Sequence, residues 1–390
     1  MRTYQLQDFA NPISVAVTNP SQSGYSRFVG LEHYDSGELV VKRYSGTELL
    51  TTTAKAFETN DILIARRNVY LKRAGIVFFD GITSGDTIVL RIKNDCESAT
   101  GVPKDLAQRI IPIVLNSEHF WIYANKHADG MNSKRISKEM LLTYEFELPS
   151  LEEQRVLADK LWAAYEVKES YKNLLAQTDK LLHAQFQKMF GAETNTPHEK
   201  LEKLCKTFID GDWIESKDQS TEGVRLVQTG NVGNGEYLDK LDKAHHITES
   251  TFERLHCTEI FAGDILISRL PDPIGRACII PKGLGKAITA VDCTIIRLKE
   301  NRILPKYFIA ATNSTAYQDK VRSFITGTTR ARISRGNLAT IEIPVPPIEQ
   351  QNKFATVAEQ AERTKASLNK GIEAIEAVIR SLIAEGTTKV

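Results

Sequence analysis

Cysteine is scarce in this sequence and poorly spaced for structural use: Cys96, Cys205, Cys257, Cys278 and Cys293 are the only five in 390 residues. An odd number without short paired spacings argues against a disulfide framework and a zinc finger, and leaves reduced, mostly buried thiols as the expectation. No apolar run approaches the length of a membrane span, so no membrane partner is expected. The opening Met1-Arg2-Thr3-Tyr4-Gln5-Leu6-Gln7-Asp8 lacks the apolar centre of a secretory leader, and the expected location is cytoplasmic. An excess of either charge is also missing, with 50 Lys+Arg against 49 Asp+Glu. That balance speaks for no nucleic-acid partner by itself, but it leaves local basic surfaces open.

Catalytic motifs are wanting too. No Gly-x-x-x-x-Gly-Lys-[Ser/Thr] phosphate loop occurs; Gly283-Leu284-Gly285-Lys286 is followed by Ala287 and reads as a turn between strands. The glycine-rich Gln228-Thr229-Gly230-Asn231-Val232-Gly233-Asn234-Gly235 reads as a hairpin that needs positive φ, ahead of a cofactor cradle. Adenine methylation would require an Asn/Asp-Pro-Pro-aromatic loop, which neither Asn11-Pro12-Ile13 nor Asn19-Pro20-Ser21 supplies. Asp212 with Glu215-Ser216-Lys217 has the residue types of a metal-dependent nuclease, yet such a trio in a polar loop arises easily by chance. His245-His246 and His256-Cys257 fit neither one helical face nor a paired finger. The expectation is therefore a chain without covalent chemistry, bound metal or cofactor of its own.

What the sequence does contain is a duplication. Leu148-Pro149-Ser150-Leu151-Glu152-Glu153-Gln154 returns as Val345-Pro346-Pro347-Ile348-Glu349-Gln350-Gln351, and each copy opens a long helical run, one to about Phe190 and one to about Ala384. Proline before each helix and acidic residues in its first turn are the expected punctuation. One apolar stripe runs along each (Leu157, Leu161, Ala164, Val167, Tyr171, Leu174 onward; Phe354, Val357, Ala361, Leu368, Ile372 onward), so each helix is the natural partner of the other. At roughly 1.5 Å per residue, about 40 residues would span on the order of 60 Å, the scale of a spacer between globular bodies.

The repeat extends into the segments before the helices. Asp61-Ile62-Leu63-Ile64-Ala65-Arg66 answers to Asp264-Ile265-Leu266-Ile267-Ser268-Arg269, Arg73 to Val77 answers to Arg276 to Ile280, Asp86 to Lys93 answers to Asp292 to Lys299, and Arg135-Ile136-Ser137 answers to Arg332-Ile333-Ser334. Short β-rich runs bounded by Gly, Pro, Asn and Asp precede one shorter helical segment per copy, Leu106 to Asn125 and Pro305 to Phe324. Strands and then helices, without steady βαβ alternation, predict an α+β fold. Boundaries are expected near Leu148, Gly191 and Pro346.

Basic residues recur at matching places. Lys320, Arg322, Arg330, Arg332 and Arg335 fall between Lys320 and Ile341 without a carboxylate, around Thr326-Gly327-Thr328-Thr329-Arg330. In the first copy Arg66, Arg67, Lys72 and Arg73 surround Asn68 and Tyr70, and Lys134 and Arg135 follow Gly130-Met131-Asn132. Hydroxyls, glycine and arginine together let a loop approach phosphates with amides and side chains at once. A solvated basic surface would look the same at any one cluster; recurrence in both copies favours two nucleic-acid surfaces.

The two Pro-x-[Leu/Ile]-Glu-[Glu/Gln]-Gln helix openings, the Gly263 to Arg269 strand, the Gly327-Thr328-Thr329-Arg330-Ala331-Arg332-Ile333-Ser334 loop and their order resemble the DNA sequence-specificity subunits of Type I restriction-modification enzymes over most of the chain. The resemblance implies two mixed α/β target-recognition domains, residues 1–148 and 191–346, each reading half of a split double-stranded DNA target. It implies that helices 149–190 and 347–390, the latter with a C-terminal tail, pack as an antiparallel coiled coil between them. It also implies partners: two methyltransferase subunits, which bind S-adenosylmethionine, and ATP-dependent restriction subunits. The candidate DNA-binding residues are Arg66, Arg67, Asn68, Lys72, Arg73, Lys134 and Arg135 in the first domain. In the second they are Gln228, Thr229, Asn231, Arg269, Arg276, Thr328, Thr329, Arg330, Arg332 and Arg335. The first copy departs from the pattern at Asn60 for Gly263, Lys72 for Gly275 and Gly130-Met131-Asn132-Ser133-Lys134-Arg135 for the Gly-Thr-Thr-Arg loop, which predicts two different half-sites. The competing readings are a self-contained methyltransferase or nuclease, and a stand-alone or other phage-defence DNA-binding protein of this architecture.

Overall fold

The computed structural model describes residues 2–131, 133–191, 195–327 and 331–386. The chain divides into two compact units, Met1–Lys172 with Asn369–Val390, and Asn173–Leu368. Both are mixed α+β bodies, as the order of sequence patterns predicts.

In the first unit an antiparallel sheet has the order Ala10–Ile13, Thr87–Ile92, Ile62–Ala65, Ala74–Ile76. The strand Ile62–Ala65 is buried at every position, which explains an unbroken apolar run where a half-exposed strand would alternate. Its residues still divide by face: Ile62 and Ile64 pack with Leu106, Ile110, Phe120 and Trp121, Leu63 and Ala65 with Val29, Phe57 and Val89. A second sheet, Val15–Val17, Ala54–Phe57, Gly81–Thr83, Phe28–Val29, contains the parallel pair Val29 and Thr83.

The second unit repeats this plan. Its first sheet is Cys205–Asp210, Cys293–Leu298, Ile265–Ser268, Ala277–Ile279; its second is Gln219–Ser220, His245–Ile247, Val224–Val227, Ala287–Thr289. The registers agree with the sequence repeat, since Ile62 pairs with Leu90 as Ile265 pairs with Ile296, and Ala65 with Thr87 as Ser268 with Cys293. The repeated aspartate explains itself here. Asp61 is 1% exposed, accepts the Glu58 N–H at 2.8 Å and pairs with Arg91 at 2.8 Å. Asp264 is 7% exposed, accepts the Phe261 N–H at 3.0 Å and pairs with Arg297 at 3.0 Å. A buried carboxylate persists only with such partners, and the hydrogen bond to each aspartate lifts the arginine pKa in return.

Each shorter helical segment, expected as one, is two helices: Lys104–Val114 and Glu118–Lys126, then Pro305–Thr312 and Thr315–Ser323. The reason is a serine cap in mid-segment. Ser117 Oγ accepts the Phe120 N–H at 3.2 Å and Ser314 Oγ accepts the Tyr317 N–H at 3.3 Å, starting a new helix.

The long helices run Leu151–Phe190 and Ile348–Gly386. At their openings the glutamine of the repeated phrase turns back on the proline: Gln154 Nε2 donates to Pro149 O at 2.9 Å and Gln351 Nε2 to Pro346 O at 2.8 Å. In the first unit Leu157 lies against Gly386 and the Tyr171 ring against Gly371. In the second, Asp179 pairs with Lys365 at 2.8 Å and the rings of Phe186 and Phe354 lie 5.4 Å apart. Positions rise on one helix as they fall on the other, so within each unit the two segments are antiparallel. Among the described residues no helix is long and apolar enough to cross a membrane.

Candidate nucleic-acid interface

In the first unit the strand Ile62–Ala65 runs out into Arg66-Arg67-Asn68, and three backbone hydrogen bonds fix where these side chains start. The Arg66 N–H donates to Asp86 O at 2.9 Å, Arg66 O accepts the Ile136 N–H at 3.0 Å, and the Asn68 N–H donates to Lys134 O at 2.7 Å. The fold thus joins Arg66, Arg67 and Asn68 to Lys134 and Arg135. Arg67 Nε donates to Ser133 Oγ at 2.7 Å, while Asp86 lies 3.7 Å from Arg67 and 3.2 Å from Arg135. One carboxylate between two exposed arginines orders them without cancelling their charge.

Asn68 and Lys72 both adopt left-handed φ, 54° and 49°, on either side of the 3-10 turn Val69–Leu71. Such non-glycine residues each cost on the order of 1 kcal/mol. The turn buries Val69 and projects Tyr70, 60% exposed, beside the arginines. Left-handed backbone also accounts for two sequence departures. Lys72 and Gly275 are both left-handed, as are Asn60 and Gly263, so the repeat kept the conformation and relaxed the residue. Lys72 pairs with Glu118.

In the second unit the same stitching recurs. The Arg269 N–H donates to Asp292 O at 2.8 Å and Arg269 O accepts the Ile333 N–H at 3.2 Å, while Thr326 and Arg332 exchange two 2.9 Å backbone bonds. Asp210 lies 3.4 Å from Arg269 and 3.9 Å from Arg335. Arg332 and Arg335 are exposed. Thr328, Thr329 and Arg330 lie outside the described residues.

Two arginines singled out from sequence lie below the surface, Arg269 at 7% and Arg276 at 6% exposure. Arg269 donates to Val291 O and Ile333 O. Arg276 donates to Val232 O at 2.5 Å, Leu270 O at 2.8 Å, Pro273 O at 2.8 Å and Thr229 O at 2.7 Å, tying the 229–232 turn to the 270–273 loop. Arg73, its counterpart, donates to Leu31 O at 3.0 Å and Arg67 O at 2.9 Å. Burial pulls the pKa of Arg73 and Arg276 below the ordinary arginine value. In the 229–231 turn the Gln228 N–H donates to Asn231 Oδ1 at 3.0 Å and Asn231 Nδ2 donates to Leu238 O at 2.9 Å, so Asn231 shapes the turn that presents Gln228 and Thr229.

The sequence reading missed the first-unit counterpart of that turn. Val29 pairs with Thr83 as Val227 pairs with Thr289, which aligns Leu31–His33 with Thr229–Asn231; the Gly30 N–H donates to His33 Nδ1 at 2.9 Å as the Gln228 N–H does to Asn231. No residue identity links the two turns, and the only signal is strand register. Glu32, at the tip, is exposed. Trp213, which the sequence reading did not single out, is 71% exposed in the loop that follows Asp210.

Asp212 accepts the Thr258 N–H at 2.9 Å and burial raises its pKa, while Glu215 pairs with Lys217. Among the described residues no group of His, Cys, Asp or Glu could hold a metal ion. All five cysteines are free and buried. Burial pushes the thiols of Cys205 and Cys278 up to about 12 and those of Cys257 and Cys293 up to about 11, far from a nucleophile's range.

In comparison with known protein families, residues 198–377 match the Type I restriction modification DNA specificity domain. No curated protein matches the chain. Among solved structures, a chain from work on complex assembly and conformational transition of the type I R-M system is 17% identical, with a TM-score of 0.53 over 98% of this chain and 96% of that one. The Type-I restriction-modification system S subunit from M. genitalium is 13% identical, with a TM-score of 0.54 over 100% of this chain and 96% of that one. At such identities the structural likeness shows the fold.

Proposed function

We propose, from the match of residues 198–377 to the Type I restriction modification DNA specificity domain, that this chain is the specificity subunit of a Type I restriction-modification complex. It recognises a bipartite double-stranded target through recognition domains at 1–148 and 191–346. Helices 149–190 and 347–390 pair as an antiparallel coiled coil that sets the gap between the half-sites. Two methyltransferase subunits, which hold the S-adenosylmethionine, and ATP-dependent restriction subunits assemble on it in the cytoplasm. The chain itself is non-catalytic. That a solved chain of like fold comes from work on complex assembly of the type I R-M system supports assembly with partner subunits.

The observation that carries this reading is the duplicated stitching of a strand-end arginine to a basic loop, Arg66 to Ile136 and Arg269 to Ile333. It gives two rigid surfaces of the same plan with different side chains, the requirement for reading two unlike half-sites. Arg67, Asn68, Lys134, Arg135, Arg332, Arg335 and the Thr328-Thr329-Arg330 segment address the duplex. Phosphate contacts set the register, and Gln228, Thr229 and Asn68 offer amide and hydroxyl groups to base edges. Arg73, Arg269 and Arg276 act beneath them by fixing the loops. The test is co-expression with a methyltransferase subunit followed by mapping of methylated adenine in host DNA. A motif of two defined halves with a fixed gap is expected; an active bound methyltransferase with an unbroken motif would overturn the reading.

A further inference from the structure

One cavity in the first unit is lined mainly by cations at a place where the second unit carries an aspartate. It measures about 260 Å³ and is lined by Ser14, Lys55, Arg66, Ser137, Lys138 and Glu139. Lys55 Nζ donates to Gly85 O at 3.1 Å and Thr87 O at 2.9 Å, which holds the ammonium at the wall, and Arg66 Nε is buried without a partner. Burial and then the Arg66 charge pull the Lys55 pKa down, the mark of cations gathered without enough neutralisation. The nearby carboxylates, Asp86 and the pocket-lining Glu139, offset this only in part. Glu139 is exposed and 3.7 Å from Lys138, and Asp86 is shared between Arg67 and Arg135.

Strand register locates the same place in the second unit. Ile13 pairs with Val89 as Ile209 pairs with Ile295, so Ser14 stands where Asp210 stands. Arg66 corresponds to Arg269 and Lys138 to Arg335, because both follow matching residues of the repeat. Asp210 therefore lies against Arg269 and Arg335 as an ion-pair partner, with Arg269 Nε left without a hydrogen bond just as Arg66 Nε is, while Ser14 leaves Arg66 and Lys138 without that acid. Phe57 pairs with Gly81 as Ile260 bridges to Ala287, which sets the cationic Lys55 opposite the neutral Thr258. The first unit thus has Ser14 and Lys55 where the second has Asp210 and Thr258, and Glu139 where the second has Gly336, which leaves it more cationic here by one charge.

We infer that this pocket is a phosphate-binding site, and that in the DNA complex it takes one backbone phosphate that the second unit, with Asp210 in place, does not. The site rests on the specificity-subunit reading for its source of phosphate, and on the pocket alone for its chemistry.

The test uses the full chain in complex with its methyltransferase subunits and compares Ser14→Asp, Ser14→Asn and Lys138→Ala, all at exposed positions. Duplex affinity is measured across a salt series, with inorganic phosphate as a second probe read by thermal unfolding. Ser14→Asp and Lys138→Ala should weaken binding to cognate and scrambled duplexes alike, on the order of tenfold at low salt, and reduce the salt slope by about 0.9, the loss of one phosphate contact. Ser14→Asn should keep the wild-type slope, and the methylated motif should not change. Phosphate that raises the melting temperature of the wild type but not of Ser14→Asp, with an unchanged DNA slope, would overturn the DNA source and keep the anion site. No effect on either probe would overturn the site itself. A wild-type complex without a split motif would instead sink the specificity-subunit reading, and the inorganic phosphate arm would still report on the pocket.

Discussion

Replacing Arg276 should loosen the reading surface of the second unit from beneath while leaving the first unit untouched. Its guanidinium makes four hydrogen bonds to the carbonyls of Thr229, Val232, Leu270 and Pro273. Bonds from a charged donor contribute about 1.5–3 kcal/mol each, but freed loop carbonyls regain water, so the local cost of Arg276→Met is set at about 3 kcal/mol rather than the full sum. That corresponds to roughly a hundredfold rise in local opening. Hydrogen exchange on the intact complex is the assay. Peptides covering 228–238 and 268–276 should exchange about that much faster, with the amides of Asn231, Leu238 and Gly275 exposed first, because their acceptors lie in these loops. Arg276→Lys should fall between, since an ammonium cannot span four carbonyls set around a planar fork. Peptides of the first unit serve as the internal control. Unchanged exchange in 228–238, or equal acceleration in both units, would refute the account of Arg276 as the tie between these loops.

The repeated glutamines offer a matched pair. Gln351 is fully buried and satisfies Leu304 N, Arg302 O and Pro346 O, whereas Gln154 satisfies Pro149 O alone and its Oε1 has no partner. Gln351→Ala should therefore cost about 3 kcal/mol and Gln154→Ala about 1 kcal/mol, read from denaturant midpoints, and equal costs would contradict the hydrogen-bond account. Glu32 sits at the tip of the turn that Arg73 ties to Arg67, and a carboxylate there suits the amino group of cytosine. Glu32→Ala should relax one position of one half-site by about 1–3 kcal/mol, measured by methylation mapping; a shift in both halves or in neither counts against it. Burial raises the Asp212 pKa above its ordinary value, so the folded state holds this proton more tightly than the unfolded chain. Its contribution to stability is then greatest below pH about 3.8 and is lost as pH rises through the folded pKa. Asp212→Asn should stabilise at neutral pH and lose that advantage in acid, and a gain that grows on acidification would show the sign to be wrong.

The long helices were legible because proline, glutamate and glutamine mark their openings in both copies, and the central strands because an apolar run, four residues in the first copy and three in the second, follows a capping aspartate. The serine caps at Ser117 and Ser314 were hidden inside apolar segments whose periodicity continues across them. The second sheets were hardly legible, since strands as short as Phe28–Val29 and Gln219–Ser220 carry no pattern and exist through their neighbours. At the candidate interface, arginine count marked the right regions but not the role of each residue. A guanidinium that meets a phosphate and one that meets four loop carbonyls have the same sequence signature, and burial alone separates Arg276 from Arg67. The Leu31–His33 turn shares no residue with Thr229–Asn231, so only strand register could find it.

The most direct test of two independent reading units is a domain exchange. Residues 1–148 would be replaced by the matching segment of a relative with a different DNA target, the chimera co-expressed with the methyltransferase subunit, and methylated adenines mapped across the host genome. The account predicts a new motif in which one half changes and the other half and the gap stay as in the parent. A motif altered in both halves, or in the gap alone, would contradict it.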